Sequence, residues 1–412
     1  MALGAAGEAA RAVDPAPSGA RPVVRLLPGR DKRARHGHPW VFSNEIAMDA
    51  AAKALPPGTI VALESAEGQS VGTAMFNPRT LVAARILDRD PRAVIDGKFL
   101  ARRLKRALDL RGRLFDGPFY RLVHAEADGL PGLVIDRYGD VAAVQVNAAG
   151  MELLTPALLE AIDKVLNPAA IVLRNDGSMR ALEGLGQEVR VAKGRLDGPV
   201  RIVENAVVFY ADILAGQKTG WFFDQRGNRA FMAALSRGRR VFDLYCHTGG
   251  FALQAAMAGA EQVEAVDRSE PALALAERAA RENGCAGRCK FTRAEAFAEA
   301  ERRASAGERY DVAIADPPAF VKSKKDVAAG ARGYRKLARL CARLTAPGGV
   351  MFIASCSHNM EPEAFTEQVR RGLEDAGRTG RIIRQAGAGP DHPVHPHLPE
   401  SAYLKALVLA VD

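Results

Sequence analysis

From about residue 238 onward the chain alternates short apolar runs with amphipathic stretches. RVFDLYC, QVEAVD, CKFTRAEA, RYDVAIAD and GVMFIASC are separated by helix-like segments near 249–259, 270–283, 297–304, 331–345 and 362–376. A sandwich or a bundle does not produce this pattern; repeated strand–helix–strand units do, and they predict a mostly parallel, doubly wound α/β sheet. The late run YLKALVLAV adds a closing strand. Sheets of this kind hold ligands in a crevice at the C-terminal strand ends, so the residues at those ends are the first candidates for chemistry.

At 412 residues the chain exceeds one ordinary core, and its texture upstream is different. From Arg21 to about Asp90, alternating runs such as TIVALES, SVGTAMF and LVAARIL are broken by PPG and EGQ, which predicts a small β-rich domain. Between Pro91 and Leu114, Phe99, Leu100, Leu104, Ala107 and Leu108 recur at helical spacing opposite Arg and Lys. From Tyr120 to about Val203, strand-like GLVIDRYG, VAAVQVN and AIVLRND surround a helix near 152–165, predicting a compact α+β module. The expected division is 1–20 as a disordered lead-in, 21–95 as the β-rich domain, 96–200 as the central α+β domain and 201–412 as the α/β domain. Residues 1–20 resemble neither a signal nor a transit peptide. No stretch reaches the roughly 18 uncharged apolar residues of a membrane span. A cytoplasmic protein without a membrane partner is therefore expected.

The net charge of +9 is unevenly placed. Residues 21–115 hold 18 Lys or Arg against 9 Asp or Glu, leaving the rest of the chain close to neutral. A basic N-terminal region joined to a neutral one is the electrostatic footprint of a phosphate-bearing partner, although a solvated surface has the same composition. The five cysteines, Cys246, Cys285, Cys289, Cys341 and Cys356, form no CxxC pair, so neither a disulfide framework nor a metal site is expected.

Three strand ends carry the chemistry. In DLYCHTGGFAL, Asp243 to Leu253, Gly249 and Gly250 let the backbone approach a ligand where a helix begins. Asp267 ends the next strand, where an acid can hold ribose hydroxyls, and the absence of GxGxxG argues against a dehydrogenase. In IADPPAF, Asp316 followed by Pro317 and Pro318 makes a rigid carboxylate suited to hydrogen-bonding a nucleobase; a plain Asp-Pro turn is the competing reading. In ASCSHNM, Cys356 stands at the neighbouring tip. Carbon 5 of a pyrimidine is a poor nucleophile until a thiolate adds at carbon 6, which a cysteine in this place could supply; buried packing is the usual role of a lone cysteine. Cys246 and Cys341 are assigned to packing.

Together these residues resemble the large-subunit ribosomal RNA 5-methylcytosine methyltransferases, from about residue 22 to the C-terminus. GRDKRARHGHPWVFSNEI is similar to the opening of that family's PUA domain, an RNA-binding β-barrel, and YRLVHAEADGLPGLVIDRYGD to the start of its central domain. GQKTGWFFDQRGNR resembles its hairpin and loop before the methyltransferase fold, while DPPAF, SCS and DHPVHPHLPESAYLK match in order and spacing. The resemblance implies a Rossmann-like domain with a mixed seven-stranded sheet, S-adenosylmethionine as cofactor and large-subunit ribosomal RNA as partner, with a homodimer left open. It implies cofactor contacts for Asp243, His247, Thr248, Gly249, Gly250, Asp267 and Glu295, and cofactor or RNA contacts for Lys218, Gln225 and Arg226. Cys356 would be the nucleophile and Asp316 the group that stabilises the attacked cytosine, with Ser355 and Ser357 framing the thiolate. Pro317, Pro318 and Phe320, with Arg30, Lys32, Arg33 and Arg35 of the basic domain, would meet the RNA. One departure is Ala319, where many RNA 5-methylcytosine enzymes carry a second cysteine that helps release the product. Asp-Pro-Pro followed by an aromatic also marks enzymes that methylate exocyclic amines; Phe320 comes one residue late for that pattern, which keeps an amine or ring-nitrogen reading on guanine or adenine as the alternative.

Overall fold

The computed structural model describes residues 21–412; the disordered lead-in expected at 1–20 lies outside the described residues. Strands Val23–Arg25, Thr59–Glu64, Ser70–Phe76, Val82–Asp88 and Trp40–Phe42 pair in that spatial order. An antiparallel bridge between Leu26 and Ile46 joins the segments that follow the two outer strands and closes the sheet into a barrel. Its inside is filled by alternate residues such as Val61, Leu63, Ala74 and Phe76.

A second five-stranded sheet runs in the order Glu188–Lys193, Ala170–Asn175, Val141–Val146, Leu133–Tyr138, Phe119–His124. Helices Gly97–Leu114 and Thr155–Leu166 cover one face, where Val144, Val146 and Leu173 meet Leu100, Leu104 and Leu158. The long helix starts where Asp96 accepts the Phe99 amide at 2.9 Å, an ordinary N-cap. The middle of the other face is buried as well, while Val189 and Val191 on the edge strand stay exposed. Val141, Ala143 and Val172 join one continuous core with Ile202 and Phe209 of a two-stranded hairpin, Val200–Glu204 and Val207–Ala211, and with Phe251 and Leu253 beyond it. The hairpin thus precedes GQKTGWFFDQRGNR; that segment itself is a loop leading into the helix Arg226–Ala234. The barrel docks on the central sheet's connections through Arg85, which reaches Glu126 at 3.0 Å and Glu183 at 2.9 Å, and through Trp40 Nε1, which donates to Glu126 at 2.8 Å.

The last domain is numbered on its own strands: β1 Arg240–Leu244, β2 Gln262–Asp267, β3 Cys289–Arg293, β4 Tyr310–Ala315, β5 Thr345–Ser355, β6 Gly380–Ala386 and β7 Lys405–Val411. Its helices are α1 Gly250–Met257, α2 Glu270–Glu282, α3 Ala296–Ser305, α4 Val327–Leu344 and α5 Pro362–Asp375. The seven strands lie in the order β3-β2-β1-β4-β5-β7-β6; β1 to β5 are parallel, and β7 runs antiparallel to both its neighbours. This is the mixed, Rossmann-like sheet expected. The order reverses between β1 and β4, which places a crevice there. Among the described residues no helix is long and apolar enough to cross a membrane.

Candidate active site at the strand ends

After β1 the backbone passes through left-handed conformations at Tyr245 (φ 64°), His247 (φ 50°) and Gly249 (φ 81°) before α1 begins at Gly250. A Cβ on Gly250 would lie 3.0 Å from the Arg229 side chain and 3.4 Å from Trp221, so glycine lets the helix start close against them. The buried Asp243 accepts the Ala252 amide at 3.0 Å through Oδ2, while Oδ1 has no partner among the described residues. Burial, reinforced by the charges of Asp316 and Asp267, pushes its carboxyl well above the usual range. Asp267, at the tip of β2, accepts the His247 amide at 2.9 Å and the Ser269 amide at 2.8 Å, tying two strand ends together. Burial holds the His247 imidazole below its ordinary pKa. Glu295 is exposed at the start of α3. Glu295, Asp267, the glycine turn, Asp316 and Cys356 therefore follow one another along the crest in strand order.

Asp316 and Cys356 stand on adjacent parallel strands, with Ala315 paired to Ile353. Burial pushes the Asp316 carboxyl up to about 7, aided by the nearby Asp224 charge; a hydrogen bond from Gln225 Nε2 at 2.9 Å opposes this. Gln225 is itself held by Asn228 at 2.6 Å. The half-buried Cys356 thiol is raised by burial and drawn back by the Lys218 ammonium, with Asp316 and Asp224 acting against the thiolate. Its Sγ lies 4.0 Å from the Pro317 carbonyl oxygen.

Lys218 sits on a loop fixed from both ends. Arg174 donates to the carbonyls of Ile213 (2.5 Å) and Gly216 (2.8 Å), and Thr219 is clamped by Asp136, which also accepts from two of the guanidinium nitrogens of Arg121 at 2.8 Å. Further on, buried Glu204 accepts from Arg229 at 2.7 and 2.9 Å, from Trp221 Nε1 at 3.1 Å and from Gln254 at 3.0 Å. Lys218 and Gln225 are delivered to the crevice by this scaffold. Arg226 faces the seam with the central domain, over the Phe115 ring at 4.4 Å and bonded to the Phe119 carbonyl.

Other expected contacts are redistributed. Ser355 and Ser357 both bond the Tyr334 hydroxyl at 2.8 Å, so they fix the backbone on either side of Cys356 instead of framing its sulfur. Alternation along extended chain turns the cysteine to the opposite side. Phe320 packs between Tyr334, 4.7 Å between ring centroids, and Phe297, 5.9 Å, which anchors the Asp-Pro-Pro loop. Pro317 is buried and Pro318 exposed. On the barrel, Arg33 pairs with Glu45 at 2.8 Å and Arg35 with Asp31 at 2.5 Å, while Arg30 and Lys32 project into solvent. Cys246 and Cys341 are buried. Sequence reasoning missed Asp224, Tyr403, His358 and Lys405. Tyr403 donates to Asp224 and stacks on His358 at 5.3 Å, and Lys405 Nζ donates to the Ser357 carbonyl at 2.6 Å. Asp224 Oδ1 is buried without a partner among the described residues. Their only sequence signal was membership of the FFDQR, ASCSHNM and ESAYLK strings.

Strand order and strand-end chemistry of this kind define an S-adenosylmethionine-dependent methyltransferase, and the family profile of that description matches residues 192–409, with a PUA-like profile over 24–89. The chain is 36% identical over 394 residues to Ribosomal RNA large subunit methyltransferase I of Photobacterium profundum, covering 94% of this chain and 99% of the relative. It is 35% identical over 393 residues to the protein of that name from Aeromonas hydrophila, covering 94% and 98%. The chain belongs to this methyltransferase family. Among solved structures, SMU.776 complexed with SAH superposes with a TM-score of 0.80 at 20% identity, over 95% of this chain and 100% of that one. A Streptococcus mutans structure gives 0.78 at 20% identity, over 94% and 99%. At that identity the likeness shows a shared fold. The cofactor is S-adenosylmethionine, and the chain fits it: the orphaned Asp243 oxygen, the left-handed glycine turn and the acid of β2 are the groups that a nucleoside joined to an amino acid would engage.

Proposed function

We propose that this protein methylates carbon 5 of a cytosine in large-subunit ribosomal RNA, in the cytoplasm, through a covalent adduct on Cys356. The carrying observation is the pair of neighbouring strand tips that bring the Cys356 thiol and the near-neutral Asp316 carboxyl to one crevice beside the cofactor turn. The barrel and central domain, 21–95 and 96–200, grip the RNA, and an unstacked cytosine enters between the two side chains. His247, Thr248 and Gly249 hold the methionine part of the cofactor, Asp267 its ribose and Glu295 its adenine. When bound, that cofactor supplies an electrophilic methyl group.

Protonated Asp316 donates to ring nitrogen 3, which makes carbon 6 electrophilic, and the Cys356 thiolate forms the sulfur–carbon bond there. The displaced electron pair makes carbon 5 nucleophilic enough to accept the methyl group. Loss of the carbon 5 proton then re-forms the ring double bond and expels the thiolate, and ring nitrogen 3 returns its proton to the Asp316 carboxylate. With Ala319 unable to take that proton, Asp224 is the acceptor the crevice offers, kept ionised by His392, Lys218, Tyr403 and Arg121 against the effect of burial. Packing of Phe320 against Phe297 and Tyr334 disfavours the amine reading, in which that ring would stack on the base.

The test is nucleoside mass spectrometry of ribosomal RNA incubated with enzyme and isotopically labelled S-adenosylmethionine. Labelled 5-methylcytosine that vanishes in Cys356→Ala supports the reading. Label in a methylated guanine or adenine that survives the substitution promotes the amine chemistry in its place.

A further inference from the structure

We propose that Lys322, Lys324 and Lys325 form a phosphate clamp on the rim of the crevice, gripping the backbone of the single RNA strand whose base enters between Asp316 and Cys356. The inference rests on the RNA-methylation reading above.

The three lysines lie on the exposed loop that follows Asp-Pro-Pro-Ala-Phe. That loop is fastened to the nucleophile's own: the Val321 amide donates to Ser357 Oγ at 3.1 Å, and Asn359 Nδ2 reaches the Lys322 carbonyl at 3.4 Å. Asp326, the one acid in the loop, has its carboxylate occupied by the Ser323 amide at 3.0 Å and hydroxyl at 2.8 Å. Further along α4, Arg335 is paired with Asp375 at 2.6 Å and Lys336 with Glu301 at 2.9 Å, while Arg332 is exposed.

Distribution points the same way. Arginine is the usual cation of this domain; it has only seven lysines after residue 200, and Lys218, Lys322, Lys324, Lys325 and Lys405 all lie on segments that border the crevice. Lysine presents a compact, strongly hydrated charge that can follow a phosphate without reading the base, which suits a clamp that positions the strand while the pocket selects the nucleotide. With the chain beyond residue 115 close to neutral overall, these lysines give the crevice rim a local positive charge on which a polyanion can be held.

The experiment measures binding of a labelled single-stranded RNA oligonucleotide containing cytosines to the full chain, as a function of salt, for wild type, the triple Lys→Ala variant at 322, 324 and 325, and the triple Lys→Arg variant. Loss of three phosphate contacts should lower the slope of log affinity against log salt by about 2. The Arg variant should keep the wild-type slope. In the Ala variant KM for RNA should rise while kcat at saturating RNA, cofactor affinity and thermal stability stay as in wild type. An unchanged slope in an Ala variant of an enzyme that methylates RNA overturns the clamp alone. A wild-type chain with no salt-dependent RNA binding overturns the RNA reading and the clamp with it.

Discussion

At the scale of single residues, two side chains divide the proposed chemistry, and each leaves its own signature. Cys356→Ser should end methyl transfer to cytosine while isothermal titration shows unchanged cofactor affinity; retained turnover would sink the covalent route. Asp316 leaves a mark in the pH profile. Below about pH 7 it holds its proton, and kcat/KM climbs with the thiolate fraction of Cys356, whose pKa burial has raised. Above that point the donor is lost as fast as thiolate is gained, and the profile levels before falling once the thiol has titrated. Asp316→Asn, permanently neutral, should remove the break near pH 7 and let the climb continue to the thiol's own pKa, at a rate lower by about 100-fold or more for want of a proton donor. A break that persists in the Asn variant would assign it to another group.

At the scale of elements, the loop carrying Lys218 and Gln225 depends on the hairpin beneath it. Glu204, on the hairpin's first strand, is among the described residues the sole carboxylate that Arg229 meets at hydrogen-bond distance. Glu204→Ala would leave a buried guanidinium uncompensated, at a cost of about 3 to 5 kcal/mol, measurable by urea denaturation; a loss under about 1 kcal/mol would show that water replaces the carboxylate. The parallel strands and their helices were legible because both periods were clean, and legible strand ends exposed Asp316, Cys356 and Asp267 at once. Edge strand β6 was not: in GRIIRQA the consecutive Ile382 and Ile383 are 42% and 48% exposed, so no apolar face alternates. Asp224 and Tyr403 were hidden for a different reason. They come from segments before and after the parallel strands, and only packing reveals that their ends meet.

At the scale of the whole molecule, the boundary expected at residue 200 separates segments that share a core. Val141, Ala143 and Val172 of the central sheet lie in the same apolar cluster as Phe251 and Leu253 of the cofactor-binding helix. Arg111, fully buried, ties Asp128 (2.6 and 2.8 Å) to the Asp391 carbonyl (2.8 Å) across the same seam. A fragment starting at 201 should therefore expose that sheet-facing surface and aggregate or melt without a cooperative transition. The full chain should unfold residues 97–412 in one step by circular dichroism, and a soluble, sharply melting fragment would contradict the shared core. Loss of the barrel should also be felt by the central domain, since barrel residues Met75 and Leu87 are buried in that domain's apolar cluster beside the polar contacts of Arg85 and Trp40.

The shared core also bears on how a target is chosen. On the proposed RNA reading, where two domains joined by a supple linker could adapt to many spacings between a gripped helix and a reactive base, this seam, together with the seating of Met75 and Leu87 of the barrel in the central core, makes the barrel and the crevice the two jaws of a caliper set to one opening. An RNA whose folded shape holds the base at any other distance from the gripped element would be passed over, whatever its sequence.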